Sequence, residues 1–390
     1  MKTIFLIFSW ALLAASCAST GMAPITENLL VNEDENKLWS RAREEERILD
    51  QSGLIYKNKA LEEYLNQVAR RLRSPEMPSE LSFKIVVIQD PHLNAFAFPN
   101  GVIYIHTGIL ARLDNEAQLA SLLGHEMIHC THRHALKAMR RLKDPPTVMA
   151  SVYETLSNIS GLDHLAKSLG LTGSMAAMGY CRELENEADQ LGFALAMRAG
   201  YDPNEIFNLF NHLKEEIKLE GLDEPFFLGT HPAVQQRIGN IKRFLTKQDH
   251  PLESDFKGSD RFREKIQTLL LDNARLDIRL GRFQTARRGV EKYLENMPDD
   301  ARAFYLLGEI YRQSDQESKT AIAISYYQKA IALDPAFAAP HKAIGFIHFK
   351  EGNKRLARKF FESGLTLSPD SADKAYIQVY LKQCPQNGGG

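Results

Sequence analysis

The sequence predicts a mostly helical α+β protein, in which a domain with a small sheet precedes an all-α solenoid. Apolar residues recur at helical spacing in "LWSRAREEERIL" and "LEEYLNQVARRL" near the start of the chain. Two apolar runs, at 81–88 and 100–110, are typical of buried strands, and an Asn-Gly turn enters the second. The last third of the chain carries an internal repeat, which predicts a stack of helix pairs.

The composition is that of an ordinary folded protein. The 390 residues are 44% hydrophobic and 25% charged, with a formal net charge of −1, and the length suits two domains. Proteins that bind nucleic acids usually have a basic patch built from clustered Lys and Arg. The sequence has no such concentrated block, so we expect no nucleic-acid partner.

The first 16 residues have the pattern of an export signal. Lys2 precedes an apolar run that is too short to span a bilayer. The tripeptide that ends at Cys17 resembles a bacterial lipobox, which predicts acylation of Cys17; an ordinary signal peptide cut after Ala18 is the alternative. Because Ala18 is not the Asp that usually holds lipoproteins at the inner membrane, we expect a periplasmic protein anchored to the outer membrane by this lipid alone.

The mature chain divides at a polar segment that contains Pro and Gly. We predict a first domain over 25–246, a linker over 247–262, repeats with a closing helix over 263–384, and a flexible tail over 385–390.

The repeat is visible in the spacing of prolines and small residues. Pro335 and Pro369 lie 34 residues apart, and Pro298 precedes Pro335 by 37. In this register, Leu-Gly at 307–308 matches Ile-Gly at 344–345. The pattern resembles the tetratricopeptide repeat, whose helix pairs bind proteins or peptides. Three unrelated helical hairpins are the alternative.

A pair of histidines at helical spacing predicts a metal site. His125 and His129 in "HEMIH" are four residues apart, so on a helix they share a face and can bind one Zn²⁺. Glu126 lies beside the metal, where it can take a proton from the bound water.

The third ligand is less obvious from spacing. His132 lies too far along the helix and His134 points nearly opposite to His125, so we expect both to pack or to support the site. Glu185 and Asp189 in "ELENEAD" share a face of a later helix, where one can ligate and the other orient a ligating histidine. Spacing alone leaves open a solvated acidic face.

These motifs resemble the HtpX/BepA-type zinc metallopeptidases, family 48 of the metallopeptidases, a group of the gluzincin type. The family pattern is HExxH followed by E-x-E-A-D on a later helix, and the chain matches it at both places. The resemblance implies one Zn²⁺ per chain held by His125, His129 and Glu185, with Glu126 as the catalytic base. It also implies that Asp189 orients a ligand.

Two further stretches resemble this family. "NAFAFPNGVIYIHTGIL" (94–110) looks like the strand before the active-site helix, and an edge strand there can pair with an extended substrate. An internal core strand is the alternative. The residues expected to bind substrate are Asn94, Ala95, Phe96, Val102 and Tyr104.

"THPAVQQRI" (230–238) resembles the family's H-P-x-x-x-x-R-I pattern. Arg237 can then stabilise the oxyanion of the tetrahedral intermediate, and His231 can approach the metal and hold the enzyme latent. For each of them, a structural role at a helix start is the alternative.

The domain order and the export signal resemble the BepA-like periplasmic branch of the family. We therefore expect a zinc endopeptidase of the bacterial periplasm that acts in quality control or assembly of outer-membrane proteins. Its repeats are expected to recruit protein clients or envelope partners. The alternative is a non-proteolytic adaptor or chaperone with a structural or latent metal site; an intact Glu126 argues against it, since a structural site needs no base.

Overall fold

The computed structural model describes residues 24–25, 33–77, 81–141, 180–220, 237, 239–240, 243, 254–314 and 319–385. Within these residues, every helix is too short or too polar to cross a bilayer.

The first part of the chain combines seven described helices with three short strands, which confirms the α+β prediction. The helices are α1 (Glu33–Gln51), α2 (Lys59–Leu72), α3 (Thr107–Arg112), α4 (Glu116–Thr131), α5 (His134–Arg141), α6 (Arg182–Arg198) and α7 (Asn204–Glu220). The strands are β1 (Lys84–Ile88), β2 (Ala95–Ala97) and β3 (Val102–His106).

The sheet has the order β1-β3-β2, with β3 parallel to β1 and antiparallel to β2. Its strands are apolar on both faces because helices cover both. Ala95, Ile103 and Ile105 pack in the same core as α2 and α4. Phe96 and Tyr104 face the other way, into a core formed with α1 and α5. The sheet is therefore a buried platform beside α4.

In the last part of the chain, all the secondary structure of the described residues is helical. Its helices are α8 (Ser259–Arg279), α9 (Phe283–Leu294), α10 (Ala301–Gln313), α11 (Lys319–Leu333), α12 (Ala338–Lys350), α13 (Lys354–Leu367) and α14 (Lys374–Lys382). They pack as the pairs α8–α9, α10–α11 and α12–α13, and α14 closes the stack.

Glycines give a physical reason for the repeat register. A Cβ on Gly345 would lie 2.6 Å from the ring of Phe361, and one on Gly308 would collide with the ring of Tyr327. In the pairs α10–α11 and α12–α13, the glycine in the first helix leaves room for the aromatic ring of the second. Both rings are fully buried, so these contacts hold each pair together.

The repeats pack directly on the first domain. Helix α8 begins at Ser259, inside the predicted linker, and lies against α2, α3 and α4. Arg112 at the end of α3 donates a hydrogen bond to Asp277 of α8 at 2.9 Å. Lys292 of α9 donates to the backbone carbonyl of Leu113 at 2.5 Å, which satisfies a carbonyl at the C-terminal end of α3. The predicted boundaries remain predictions, but the two parts share one apolar core.

Candidate metal centre

Helix α4 carries the HExxH pattern and is buried along its whole length. Asn115 caps its N-terminus by accepting a hydrogen bond from the backbone N–H of Gln118 at 2.9 Å. Neighbouring elements cover every side of the helix, so no amphipathic stripe marks the side that faces α6. The spacing of the two histidines identifies that side instead.

Two glycines bring α4 and α6 into backbone contact. A Cβ on Gly124 would lie 2.5 Å from the carbonyl oxygen of Gly192, and a Cβ on Gly192 would lie 2.5 Å from the backbone N of His125. Only glycine fits on either side of this crossing. The close approach places the first turns of α6 beside the histidines of α4.

Three side chains converge at the crossing. The Nε2 atoms of His125 and His129 are 2.9 Å apart. The carboxylate oxygens of Glu185 lie 3.6 Å from Nε2 of His125 and 3.5 Å from Nε2 of His129. All three side chains are buried, and within the described residues they form the one group with metal-ligating geometry. Two imidazoles and one carboxylate are the donor set of a catalytic zinc site that keeps an open position.

The other ring nitrogen of His125 is held by a carboxylate. His125 Nδ1 lies 2.9 Å from Oδ1 of Asp189. Arg237 donates two hydrogen bonds to the same carboxylate, at 2.8 and 2.7 Å. Burial acts to raise the pKa of Asp189, but Arg237 and His125 outweigh it and lower the pKa to about 2. An ionised Asp189 accepts the Nδ1 proton of His125, which puts the lone pair needed for ligation on Nε2.

Glu126 and Tyr180 lie near the ligands. Glu126 is 1% exposed and follows His125 on α4. The ring of Tyr180 stacks on His129, with centroids 4.0 Å apart. Burial, and then the charge of Glu126, raise the pKa of Tyr180 well above its usual value, so its hydroxyl stays protonated. A carboxylate and a hydroxyl thus lie near the candidate ligands.

Comparison with known proteins agrees with this geometry. Residues 56–245 match the model of peptidase family M48, and residues 301–337 match a tetratricopeptide repeat model. The chain contains a family M48 peptidase domain. The predicted family, and the repeats that follow it, are confirmed.

Curated relatives match about half of this chain. The beta-barrel assembly-enhancing protease of Escherichia coli (strain K12) is 28% identical over 221 residues, covering 55% of this chain and 44% of the relative. The protein of that name from Yersinia pestis is 29% identical over 212 residues, covering 52% and 42%. The mitochondrial metalloendopeptidase OMA1 of Schizosaccharomyces pombe is 29% identical over 182 residues, covering 47% and 52%. The chain spans about half the length of the curated relatives it matches.

The structure corrects the predicted substrate strand. Val102 and Tyr104 lie on β3, which pairs on both sides, so the alternative of an internal core strand is right for them. Of the two edge strands of the described sheet, β2 is the one that holds Ala95 and Phe96 and follows Asn94. The sequence predicts a turn and one strand over this apolar stretch, whereas the chain forms a hairpin of two strands.

The pairing shows which backbone groups of β2 face away from the sheet. The carbonyl of Asn94 accepts from His106, and the N–H of Phe98 donates to Val102, so both point towards β3. Because the direction alternates along a strand, the N–H and C=O groups of Ala95 and Ala97 point to the opposite edge. Ala95 is fully buried and Ala97 is partly exposed, so an added strand can reach the groups of Ala97.

Other predicted residues have mixed outcomes. Arg237 is buried and its guanidinium is paired with Asp189, a contact that favours a positioning role; its predicted oxyanion role stays a prediction. His134 is buried against His129 and supports the site, while His132 ends α4 and is partly exposed. His231 and Cys17 lie outside the described residues.

The sequence reading missed three contributors to the M48 site. Gly192 shares the face of Glu185 and Asp189 at the seven-residue spacing, and Gly124 immediately precedes the first histidine, so glycines inside helices were the available sign of a close crossing. Tyr180 had no recognisable pattern, since it lies before the start of α6.

Proposed function

We propose that the chain is a zinc-dependent endopeptidase of the bacterial periplasm that acts in quality control or assembly of outer-membrane proteins. The observation that carries the proposal is the convergence of His125, His129 and Glu185 around one point, with Glu126 beside them. The M48 match and the metalloendopeptidase relatives support the same activity.

The residues of the site divide the work of peptide hydrolysis. When bound, zinc polarises the scissile carbonyl and lowers the pKa of its water. His125, His129 and Glu185 hold the ion, and Asp189 with Arg237 keeps His125 in the ligating tautomer. Glu126 accepts the proton of the attacking water and later delivers it to the leaving amine.

Strand β2 is the proposed substrate platform. An extended peptide can pair with the outward N–H and C=O groups of Ala97, which is partly exposed, and lie antiparallel or parallel to β2. The side chain of Asn94 is fully buried, and its amide makes no hydrogen bond to the described part of the chain. A substrate backbone that bonds this amide would satisfy it, since buried amides are costly without partners.

The decisive test is cleavage of casein and of an unfolded outer-membrane protein, with bound zinc quantified. We expect Glu126→Gln to keep its zinc and lose at least about 100-fold in cleavage rate, since general-base catalysis supplies about 10²–10⁴-fold. Glu183→Gln, an exposed glutamate on α6, is the matched control and retains activity. Full activity of Glu126→Gln would exclude Glu126 as the base.

Inactivity of the zinc-loaded wild type favours latency or the adaptor alternative. His231→Ala separates these two, because only a latent peptidase gains activity when a blocking ligand is removed.

The periplasmic location and the lipid anchor rest on the export signal, and the client class rests on the names of the bacterial relatives. We expect wild type to fractionate with the outer membrane and Cys17→Ala to lose the acyl mass and enter the soluble periplasmic fraction. An unacylated wild type would instead support the ordinary signal peptide. The repeats are proposed to recruit protein clients or envelope partners.

A further inference from the structure

The second histidine ligand, His129, has a hydrogen-bonded support of its own. Its Nδ1 atom lies 2.9 Å from Nδ1 of His134, and the two rings are nearly perpendicular at 80°. Nε2 of His134 lies 3.3 Å from a carboxylate oxygen of Glu187. His134 is fully buried. The contacts form a row from Glu187 through His134 to His129, which we call the outer relay.

A strained turn places His134 in this row. Arg133, between α4 and α5, has φ of 55°, the one positive φ at a non-glycine residue in the described chain. Its buried guanidinium donates to Glu35 of α1 at 2.9 Å. A left-handed backbone conformation is strained at a non-glycine residue, because its Cβ lies too close to the following carbonyl oxygen. The turn persists because the buried ion pair fixes Arg133, and its effect is to fold the His134 ring back onto His129.

The proton positions in the outer relay follow from ligation. Nε2 of His129 faces His125 and Glu185, so this nitrogen must carry the lone pair that binds the metal. The ring proton of His129 is then on Nδ1 and is donated to Nδ1 of His134. His134 must therefore carry its own proton on Nε2, the atom that faces Glu187. Each nitrogen in the row has one possible role.

We propose that His134 and Glu187 are positioning residues that fix the tautomer and ring orientation of His129 for zinc binding. They do for His129 what Asp189 does for His125, with one additional imidazole between the ligand and the carboxylate. The inference rests on the proposed metal site but not on proteolysis. Glu187 is the middle glutamate of the E-x-E-A-D pattern. Glu185 ligates and Asp189 orients His125, and the outer relay gives Glu187 a role of its own.

The test measures zinc affinity of the full chain by competition with a chromophoric chelator, after metal removal. Loss of a hydrogen-bonding partner behind a ligand typically costs about 10- to 100-fold in metal affinity. We expect that loss for His134→Leu. His134→Asn should stay within about threefold of wild type, because the Asn oxygen lies near the position of Nδ1 and can accept the same proton. Glu187→Ala should fall between them.

His341→Leu is the matched control, since it changes a partly exposed histidine of α12, in the repeats, and should leave zinc affinity unchanged. Chemical unfolding of the metal-free proteins identifies variants that fail to fold. If His134→Leu is among them, His134→Gln replaces it: its oxygen lies near Nε2 instead of Nδ1, so Gln should lose affinity where Asn keeps it.

Wild-type zinc affinity in His134→Leu would overturn the proposal, as would equal losses in the Asn variant and in Leu or its substitute Gln. Zinc binding without any peptide cleavage, by the wild type and by His231→Ala alike, would refute the proposed function and leave this inference standing.

Discussion

Substitution of Gly192 by alanine tests whether the crossing of α4 and α6 determines the metal site. The new Cβ would lie 2.5 Å from the backbone N of His125 and 2.8 Å from its Cα, whereas ordinary contacts begin at 3.4 Å. The atoms in conflict are backbone atoms in helices, so a rotamer change cannot relieve the overlap. The helices must separate locally by up to about 0.9 Å, which is the difference between an ordinary contact of 3.4 Å and the 2.5 Å from the new Cβ to the backbone N of His125.

Two energies oppose each other in this variant. Overpacking of a well-packed core costs about 1–3 kcal/mol, while alanine in a helix interior is about 0.5–1 kcal/mol more favourable than glycine. We therefore expect a net loss of about 1–2 kcal/mol in the free energy of unfolding of the metal-free protein. Zinc affinity should fall by at least about 10-fold, because Glu185 moves away from the histidines with its helix.

Denaturant unfolding and chelator competition measure the two effects. Gly289→Ala in α9 is the control: its Cβ would lie 3.9 Å from its nearest neighbours, so only the helical gain of about 0.5–1 kcal/mol remains. If Gly192→Ala matched the control in stability and kept wild-type zinc affinity, the close crossing would not hold the ligands.

Two further predictions concern residues that hold α4 and the repeats. Glu116→Ala should destabilise the protein by about 2–4 kcal/mol in urea unfolding, because the buried hydroxyls of Tyr64 and Tyr201, which donate to Glu116 at 2.9 and 2.8 Å, lose their acceptor; a loss below about 0.5 kcal/mol would contradict this. Burial acts to raise the pKa of Asp300, but hydrogen bonds from Arg302 outweigh it and lower the pKa to about 2. Ionised Asp300 should therefore stabilise the fold above about pH 4, and this contribution should vanish as the pH falls towards 2. In urea unfolding at pH 6, we expect wild type to be about 1 kcal/mol more stable than Asp300→Asn, a value reduced because Arg302 is partly exposed. A stability difference that does not change with pH would refute the stabilising role of ionised Asp300.

Local geometry explains which features of the site the sequence predicts. Residues four apart on a helix share a face whatever the tertiary fold, so the pairs His125 with His129 and Glu185 with Asp189 follow from spacing alone. Spacing does not show whether Glu185 or Asp189 ligates, because the answer depends on how the two helices are offset in the tertiary structure. The family resemblance supplied that choice, and the distances from Glu185 to both imidazoles agree with it.

The sheet shows a different limit. Residues 94–106 are apolar enough to form one long strand, and periodicity cannot separate that from a tight hairpin. The Asn100-Gly101 turn was recognised, but the three residues of β2 before it are too short to give an alternating pattern. The sequence therefore predicts an edge strand at Val102 and Tyr104, whereas these residues lie on the central strand β3. Strand order depends on β1 pairing with β3 across the crossover, which no local pattern records.

Arg237 shows that a motif can identify a functional residue without showing its chemical role. The H-P-x-x-x-x-R-I pattern marks the arginine, and a cation near a peptidase site suggests an oxyanion partner. In the structure its guanidinium makes two short contacts with Asp189, 48 residues earlier in sequence, and a weaker one with Glu185 at 3.4 Å. A cation engaged in this way stabilises the carboxylates behind the ligands. The same reasoning applies to His134, where the sequence gives a helical phase that excludes ligation, and only the α4–α5 turn shows that the ring supports His129.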